Sequence, residues 1–210
     1  MATKTKTETK ILDAARKVFM TKGLEATSMS DIAAEAKISR PSLHYYFRTK
    51  ENLFQAIFKD LVEEFMPQLG EIIRGNDSPE NKVRKFVDKY VDLLAGTPLA
   101  PHFVINEIYR DPAGMANLFF SVESQHGNIA YAVNLIDEFA KKRGIADFDA
   151  QQFCLSLYGQ CVFPFLVSPI LKAAFFERSP ELFKNFIKDL KAGVIRSALL
   201  SLGIVSESEV

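Results

Sequence analysis

The segment Ser39–Lys50 brings together side chains that can bind nucleic acid. Arg40 and Ser42 open a short predicted helix, on which Leu43 and Phe47 can pack inward and leave the other side chains exposed. A guanidinium group can hold a guanine edge through two hydrogen bonds, and a serine hydroxyl can bond a base with less selectivity. The first turn of this helix therefore suits contact with base edges in a DNA groove.

Aromatic and basic groups follow in the same segment. His44, Tyr45 and Tyr46 are spread around the exposed directions of the helix, where they can reach backbone phosphates. Lys50 stands at the start of the next helix, so that its ammonium group and the positive helix N-terminus can hold a phosphate together. The alternative is that the His-Tyr-Tyr-Phe run is only a packed aromatic corner. The order of the elements around it favours the DNA contact.

Two short helices must position this third one. The first ends near Gly23 and is predicted from apolar residues at helical spacing: Ile11, Leu12, Ala15, Val18 and Phe19. Ser28, followed three residues later by Asp31, predicts a capped start for the second helix. Ser39 can cap the third helix, whose first turn contains Pro41, where a missing backbone donor costs little. Three short helices in about fifty residues predict a helix-turn-helix domain.

In two stretches, KILDAARKVFMTKGLEATSMSDIAAEA and ISRPSLHYYFRTKENLFQAI, the chain resembles the TetR family of bacterial transcription regulators. The resemblance implies a set of DNA contacts by position within the motif. It places Ser28 and Ser30 at the start of the supporting helix. It assigns Arg40, Pro41 and Ser42 to contacts with base edges. The phosphate contacts that it implies are His44, Tyr45, Tyr46 and Lys50.

Two positions depart from the usual pattern of this family. Lys37 stands where a turn glycine is usual, and His44 stands where a tyrosine is usual. A residue other than glycine in a left-handed turn costs about 1 kcal/mol, so Lys37 predicts a slightly altered turn geometry.

Charge supports the same division of the chain. Residues 1–50 contain ten Lys or Arg and five Asp or Glu, a net charge of +5, whereas the whole chain balances 26 basic against 26 acidic residues. Residues 51–210 therefore carry a net charge of −5. A basic N-terminal part on an acidic body is the polarity expected when one end meets phosphates.

The remainder of the chain predicts helices throughout, with no strand pattern and no internal repeat. The predicted helices begin at Thr49 and after Ser78, and then cover about 101–110, 112–144, 148–176 with interruptions at Pro164 and Pro169, and 180–202. We therefore predict an all-α protein with an N-terminal three-helix helix-turn-helix DNA-binding domain at residues 1–50. A C-terminal helical domain for effector binding and dimerisation follows at residues 51–210.

The last two predicted helices, at about 148–176 and 180–202, are apolar over a wide arc that one chain does not easily bury. The alternative is an ordinary two-layer core. In the TetR family such C-terminal helices form a four-helix dimer interface, so the resemblance implies a homodimer. Its two-fold symmetry would present two DNA-binding domains to a pseudo-palindromic operator in double-stranded DNA.

The resemblance also implies a small-molecule effector in the middle helices, here about residues 78–176. Eighteen phenylalanines favour an apolar or amphipathic effector. His126 is placed with Glu123 on an apolar stripe and could orient a ligand, although such a histidine is more often bonded to a neighbouring protein group. Asn106, Tyr131 and Tyr158 are weaker candidates. We expect a ligand-responsive regulator, and the usual role in this family implies a repressor that the effector releases from its operator.

Other classes of protein explain fewer of these features. Glu123 and His126 form a Glu-x-x-His pair, as in di-metal helical bundles, but neither His44 nor His102 has a glutamate three residues before it. We therefore expect no metal, no cofactor and no enzymatic activity. A helical carrier or sensor of hydrophobic small molecules without DNA binding is the alternative function. It accounts for the body and leaves the basic N-terminal part unexplained.

Two features point to the cytoplasm. The first residues lack the apolar run of a signal peptide, and no segment predicts a membrane span. Cys154 and Cys161, seven residues apart on one predicted helix, are about 10 Å apart along it and cannot bridge each other. We therefore expect reduced thiols that act as small core or interface residues.

Overall fold

A computed structural model describes residues 5–23, 26–97, 100–176 and 179–204 of the chain. The outermost residues of the two predicted domains, 1–4 and 205–210, lie outside this description. The described residues form helices and no strands, which confirms the all-α prediction. The helices are α1 Lys6–Lys22, α2 Met29–Glu35, α3 Arg40–Tyr46, α4 Lys50–Arg74, α5 Pro79–Gly96, α6 Ala100–Arg110, α7 Pro112–His126, α8 Asn128–Arg143, α9 Ala150–Leu166, α10 Ser168–Ala174 and α11 Pro180–Ser201.

The chain divides into two compact units, one within Met1–Phe65 and Thr97–Ala100 and the other within Met66–Gly96 and Pro101–Val210. The division falls inside α4. The predicted domain boundary at residue 50 marks the start of this same helix.

The N-terminal unit has a small core built from the apolar faces of α1, α2 and α3. Ile11, Ile32 and Leu43 are fully buried, and the rings of Phe19 and Phe54 pack 5.6 Å apart. Full burial of one such side chain contributes about 1.5 to 3 kcal/mol, so this core can hold three short helices that would not be stable alone. The three helices therefore keep fixed positions, as a helix-turn-helix domain requires.

The second unit has its core between α5, α9 and α11. Its fully buried side chains include Val87 and Val91 of α5, Cys161 and Phe165 of α9, and Leu199 of α11. At the surface, Lys191 lies 2.8 Å from Asp92 and 3.6 Å from Asp88, so ion pairs also join α11 to α5.

One predicted helix is two helices in the structure. The apolar stripe after Pro112 predicts a single helix to Gly144, but the chain breaks at Gly127, whose φ of 58° is left-handed. Gly127 ends α7 through a hydrogen bond from its backbone N–H to the carbonyl of Glu123, and α8 begins at the next residue. The prediction was wrong here because an apolar stripe can continue across a helix break.

The prediction was also wrong at Pro164, which lies inside α9 and does not interrupt it. The break falls at Val167, and Pro169 then lies in the first turn of α10, a position where the absent N–H costs little. Among the described residues, no single helix has the length and apolar composition to cross a membrane; α9 and α10 satisfy those criteria only as a pair bent by 58°.

Candidate DNA-binding interface

α3 is fixed from one side by the core and from its start by a cap. Leu43 is completely buried and Phe47 is nearly so. The Ser39 side-chain oxygen accepts a hydrogen bond from the backbone N–H of Ser42 at 3.2 Å, and Pro41 occupies the first turn. Leu43 faces the core, whereas Arg40 and Pro41 in the first turn are exposed.

α2, the supporting helix, begins with the predicted capping box. Ser28 Oγ accepts from the backbone N–H of Asp31 at 3.2 Å, and the Asp31 carboxylate accepts from the backbone N–H of Ser28 at 2.9 Å. Lys22 Nζ lies 2.6 Å from the same carboxylate; this contact and those from Ser28 hold the pKa of Asp31 well below its usual range. Ser30 is exposed in the first turn of α2.

The turn between α2 and α3 is left-handed in spite of its lysine. Lys37 has a φ of 51°, and its backbone N–H donates to the carbonyl of Ala34 at 3.1 Å. Ile38 N–H then donates to the carbonyl of Ala33 at 3.0 Å, which completes the turn. A lysine side chain in this conformation costs about 1 kcal/mol relative to glycine.

His44 lies between Arg40 and the end of α3. Its Nδ1 is 3.1 Å from the carbonyl oxygen of Arg48, which can only accept, so Nδ1 carries the proton. Nε2 of the neutral ring is then an acceptor, and it receives a hydrogen bond of 3.4 Å from Nε of Arg40. The exposed guanidinium is therefore held loosely along the face of α3.

The remaining predicted DNA contacts lie on the same segment. Tyr45 is 84% exposed, and its ring meets that of Tyr46 edge to face, with the centroids 5.3 Å apart. Lys50 is the first residue of α4, after Thr49, whose side-chain oxygen accepts from the backbone N–H of Asn52 at 3.1 Å. α3 and the first turn of α4 thus carry basic, hydroxyl and aromatic groups whose backbones are fixed by caps and core contacts.

Three of the five predicted effector residues lie near the α7–α8 junction. Glu123 accepts from the backbone N–H groups of Ile129 at 3.1 Å and Ala130 at 2.9 Å, and therefore caps α8. The backbone carbonyl of His126 accepts from Arg74 at 2.8 Å, and the Tyr131 ring lies 4.9 Å from the guanidinium carbon of Arg74.

The other two predicted effector residues belong to different parts of the second unit. Asn106 is exposed on α6. Tyr158 of α9 lies with its ring 4.5 Å from that of Tyr90 on α5, and burial, the largest cause, raises the pKa of Tyr90. None of these contacts joins Asn106 or Tyr158 to the α7–α8 junction.

Two residues of this unit were missed from the sequence. One is Asn128, the first residue of α8, which is 1% exposed and whose amide bonds the carbonyl of Met66 and the side chain of Arg74. The other is Arg74, which ends α4 and reaches the α7–α8 junction. The available signal was an asparagine directly after a glycine that can end a helix, since an amide that becomes buried at such a helix start needs hydrogen-bond partners.

Cys154 and Cys161 are both free thiols. Burial raises the pKa of Cys154, and it raises that of Cys161 to about 12. Within the described part of the chain, no group of three or more His, Cys, Asp or Glu side chains is arranged to hold a metal ion.

Comparison with known proteins matches the N-terminal segment of the chain to one family. A family model described as bacterial regulatory proteins, tetR family, matches residues 11–57. The fatty acid metabolism regulator protein of Bacillus subtilis is 29% identical over 86 residues, which are 41% of this chain and 44% of that protein. The chain thus matches less than half the length of this curated relative. The probable HTH-type transcriptional regulator YttP of Bacillus subtilis is 22% identical over 193 residues, 90% of this chain and 92% of that protein.

The likeness to solved structures covers most of the chain. The crystal structure of the transcriptional regulator FadR from Bacillus subtilis in complex with stearoyl-CoA matches with a TM-score of 0.66 at 18% identity, over 94% of this chain and 98% of that one. This likeness confirms the predicted architecture, a helix-turn-helix domain followed by a helical domain.

Proposed function

The chain belongs to the TetR family of bacterial regulatory proteins, and we propose that it is a ligand-responsive transcriptional repressor that binds operator DNA as a homodimer. The observation that carries this proposal is the matched segment itself, residues 11–57, which contains α2, the left-handed turn and the exposed face of α3. A helix held by a buried leucine and a capping serine can enter a groove without losing its position in the domain.

The expected DNA contacts follow from the exposed chemistry of this segment. We expect Arg40 to read a guanine through O6 and N7, and Ser42 to add a less selective bond. We expect Tyr45 and Lys50 to bond phosphates, and these contacts would fix the register of α3 in the groove. Base selectivity is therefore expected to rest mainly on Arg40, and salt-dependent affinity mainly on Lys50.

Dimerisation is proposed through α9 and α11. Leu155 and Phe163 on α9 are 75% and 61% exposed, and Leu182 on α11 is 46% exposed. A Cβ added at Gly159 of α9 or at Gly193 of α11 would meet no atom within 4 Å, which leaves room for a second pair of helices to approach closely. Burial of these faces in a two-fold dimer would remove large apolar side chains from water.

The proposed effector is amphipathic, with a long apolar part. α6 and α7 expose Tyr109, Phe119 and Phe120 to 83%, 51% and 66%, respectively, so these helices have apolar surface that a ligand could cover. The Bacillus subtilis FadR structure contains stearoyl-CoA, and a curated relative is a fatty acid metabolism regulator. A long-chain acyl-CoA is therefore the first effector to test here. Release from DNA requires that it bind the DNA-free conformation more tightly than the DNA-bound one.

The proposal is tested by fluorescence anisotropy. Purified protein is titrated against the DNA upstream of its own gene, with scrambled DNA as the control, at several salt concentrations and with or without stearoyl-CoA. We expect selective binding with two chains per site and release by the acyl-CoA. Acyl-CoA binding without any DNA selectivity would instead support a carrier, and selective DNA binding that stearoyl-CoA leaves unchanged would exclude this effector.

A further inference from the structure

α4 is joined to the start of α8 by a polar network that neither the family match nor the predicted site accounts for. Along one face of α4, at intervals of four residues, lie Met66, Gly70 and Arg74. All three meet Asn128, the first residue of α8. We call these four residues the Arg74–Asn128 network.

Asn128 is fixed from both sides. Its Nδ2 donates to the backbone carbonyl of Met66 at 2.6 Å, and its Oδ1 accepts from Nη1 of Arg74. The reverse orientation of the amide would turn its NH₂ group toward the guanidinium and its oxygen toward a carbonyl, so only one orientation bonds both groups. Since Asn128 is 1% exposed, water does not substitute readily for either partner.

Arg74 extends the contact to the helix break. Nη2 donates to the carbonyl of His126 at 2.8 Å and to that of Gly127 at 3.3 Å, and these two residues end α7 and separate it from α8. The guanidinium also lies over the ring of Tyr131, with 4.9 Å between its carbon and the ring centroid. One side chain of α4 thus bonds the last residue of α7, the junction and the first residue of α8.

Gly70 provides the space for this close approach. A Cβ at this position would lie 3.1 Å from Nη1 of Arg74 and 3.2 Å from Oδ1 of Asn128. Asn128 is held on both sides and cannot retreat without breaking a hydrogen bond. An alanine at residue 70 would therefore have two opposite effects. Its higher helix propensity would stabilise α4, whereas its Cβ would crowd Arg74 and Asn128 and weaken their hydrogen bond.

We propose that Arg74 and Asn128 are positioning residues that transmit changes at the α7–α8 junction to α4. This inference rests on the proposed function and adds the route of its regulation. α4 is one helix from Lys50, beside the candidate DNA contacts, to Arg74. A shift of the α7–α8 junction must either carry the C-terminal half of α4 with it or break the network. Three of the predicted effector residues, Glu123, His126 and Tyr131, lie at or next to that junction.

Hydrogen–deuterium exchange tests the coupling without requiring an operator or an effector. The variant is Arg74→Gln, which removes the guanidinium from an exposed residue; the matched control is Arg84→Gln, whose side chain pairs with Glu80 on its own helix, at 2.8 Å. We expect Arg74→Gln to speed exchange at 66–74 and 128–131 and also along 50–65, and Arg84→Gln to leave these segments unchanged. Faster exchange confined to 128–131, or the same pattern in both variants, would overturn the proposal.

Gly70→Ala gives a second test in which two effects oppose each other. Its control is Gly96→Ala at the end of α5, where an added Cβ meets no atom within 4 Å. We expect faster exchange at 128–131 in Gly70→Ala and no such change in Gly96→Ala. Slower exchange in both variants would show that helix propensity alone decides and would count against the network.

DNA binding then separates this inference from the proposed function. If the wild type binds its operator selectively, Arg74→Gln should weaken binding to the full operator about 5- to 150-fold, the usual range of coupling between sites, and leave half-site binding unchanged. Equal loss on both DNAs, or no loss, would contradict the positioning role. Absence of DNA selectivity in the wild type would count against the proposed function alone. The hydrogen–deuterium exchange of the variants would still test whether the α7–α8 junction is coupled to α4.

Discussion

Replacement of Arg40 by alanine separates base reading from general DNA attraction. Arg40 is exposed, and the side-chain contact seen in the structure is the 3.4 Å bond to His44, which is too long to be strong. The change should therefore alter the free energy of unfolding by no more than about 0.5 kcal/mol. Removal of a bidentate bond to guanine costs about 1 to 3 kcal/mol, so affinity for the operator should fall about 5- to 150-fold for each DNA-binding domain involved.

The assay is anisotropy against the operator, against a set of operators with one base pair changed at a time, and against scrambled DNA. We expect Arg40→Ala to lose most of its affinity on the operator, little on scrambled DNA, and to become indifferent to one base pair in each half-site. Arg84→Ala, which removes an exposed arginine of α5, is the control and should bind as the wild type does. Equal losses on every sequence, without a change in the melting temperature, would refute the assignment of Arg40 to a base.

Four further outcomes are expected. Lys50→Ala should weaken binding to all DNA and lower the salt slope by about 1 for each phosphate that the lysine neutralises, as measured by salt-dependent anisotropy. Lys22 and Ser28 hold the pKa of Asp31 low, so the ionised carboxylate stabilises the folded state. This contribution is fully present above the ordinary pKa of an aspartate and is lost as pH falls through the folded-state pKa. The melting temperature of Asp31→Asn should therefore fall furthest below the wild-type value near neutral pH and approach it in acid. Since burial raises the pKa of Cys161 to about 12, a thiol reagent at pH 8 should modify Cys161 only after unfolding, and rapid labelling of a Cys154→Ser variant would contradict this. Phe163→Glu, on the exposed face of α9, should give monomers in sedimentation velocity, whereas an unchanged mass would remove α9 from the proposed dimer interface.

Helix starts could be predicted from the sequence because their signals are local. Ser28 with Asp31, and Ser39 before Pro41, each form the predicted cap within three residues of the helix start. A side chain that bonds the backbone three residues later depends on almost nothing distant in the chain. The buried face of α3 could be predicted for a similar reason, because Leu43 and Phe47 are four residues apart and both are buried.

The break at Gly127 and the continuity at Pro164 could not be predicted from local pattern. An apolar stripe runs through Gly127, and the left-handed conformation there is supported by Arg74, more than fifty residues earlier in the chain. Pro164 is tolerated within α9, where it lies buried, although its missing N–H predicts an interruption. Both outcomes depend on tertiary contacts, which overrule a local preference of a few kcal/mol.

Asn128 shows what such distant contacts contribute beyond stability. A buried amide gives only a modest net gain over a well-packed apolar side chain, because its groups must first leave water. An apolar residue in its place, however, would bond neither the Met66 carbonyl nor Arg74, and it would accept several nearby positions of α4 with similar energy. The amide accepts one position, since a slip of α4 by one residue would separate both bonded atoms from their partners. The Arg74–Asn128 network therefore specifies the register of α4 against the α7–α8 junction, and the proposed movement of α4 would begin from this defined position.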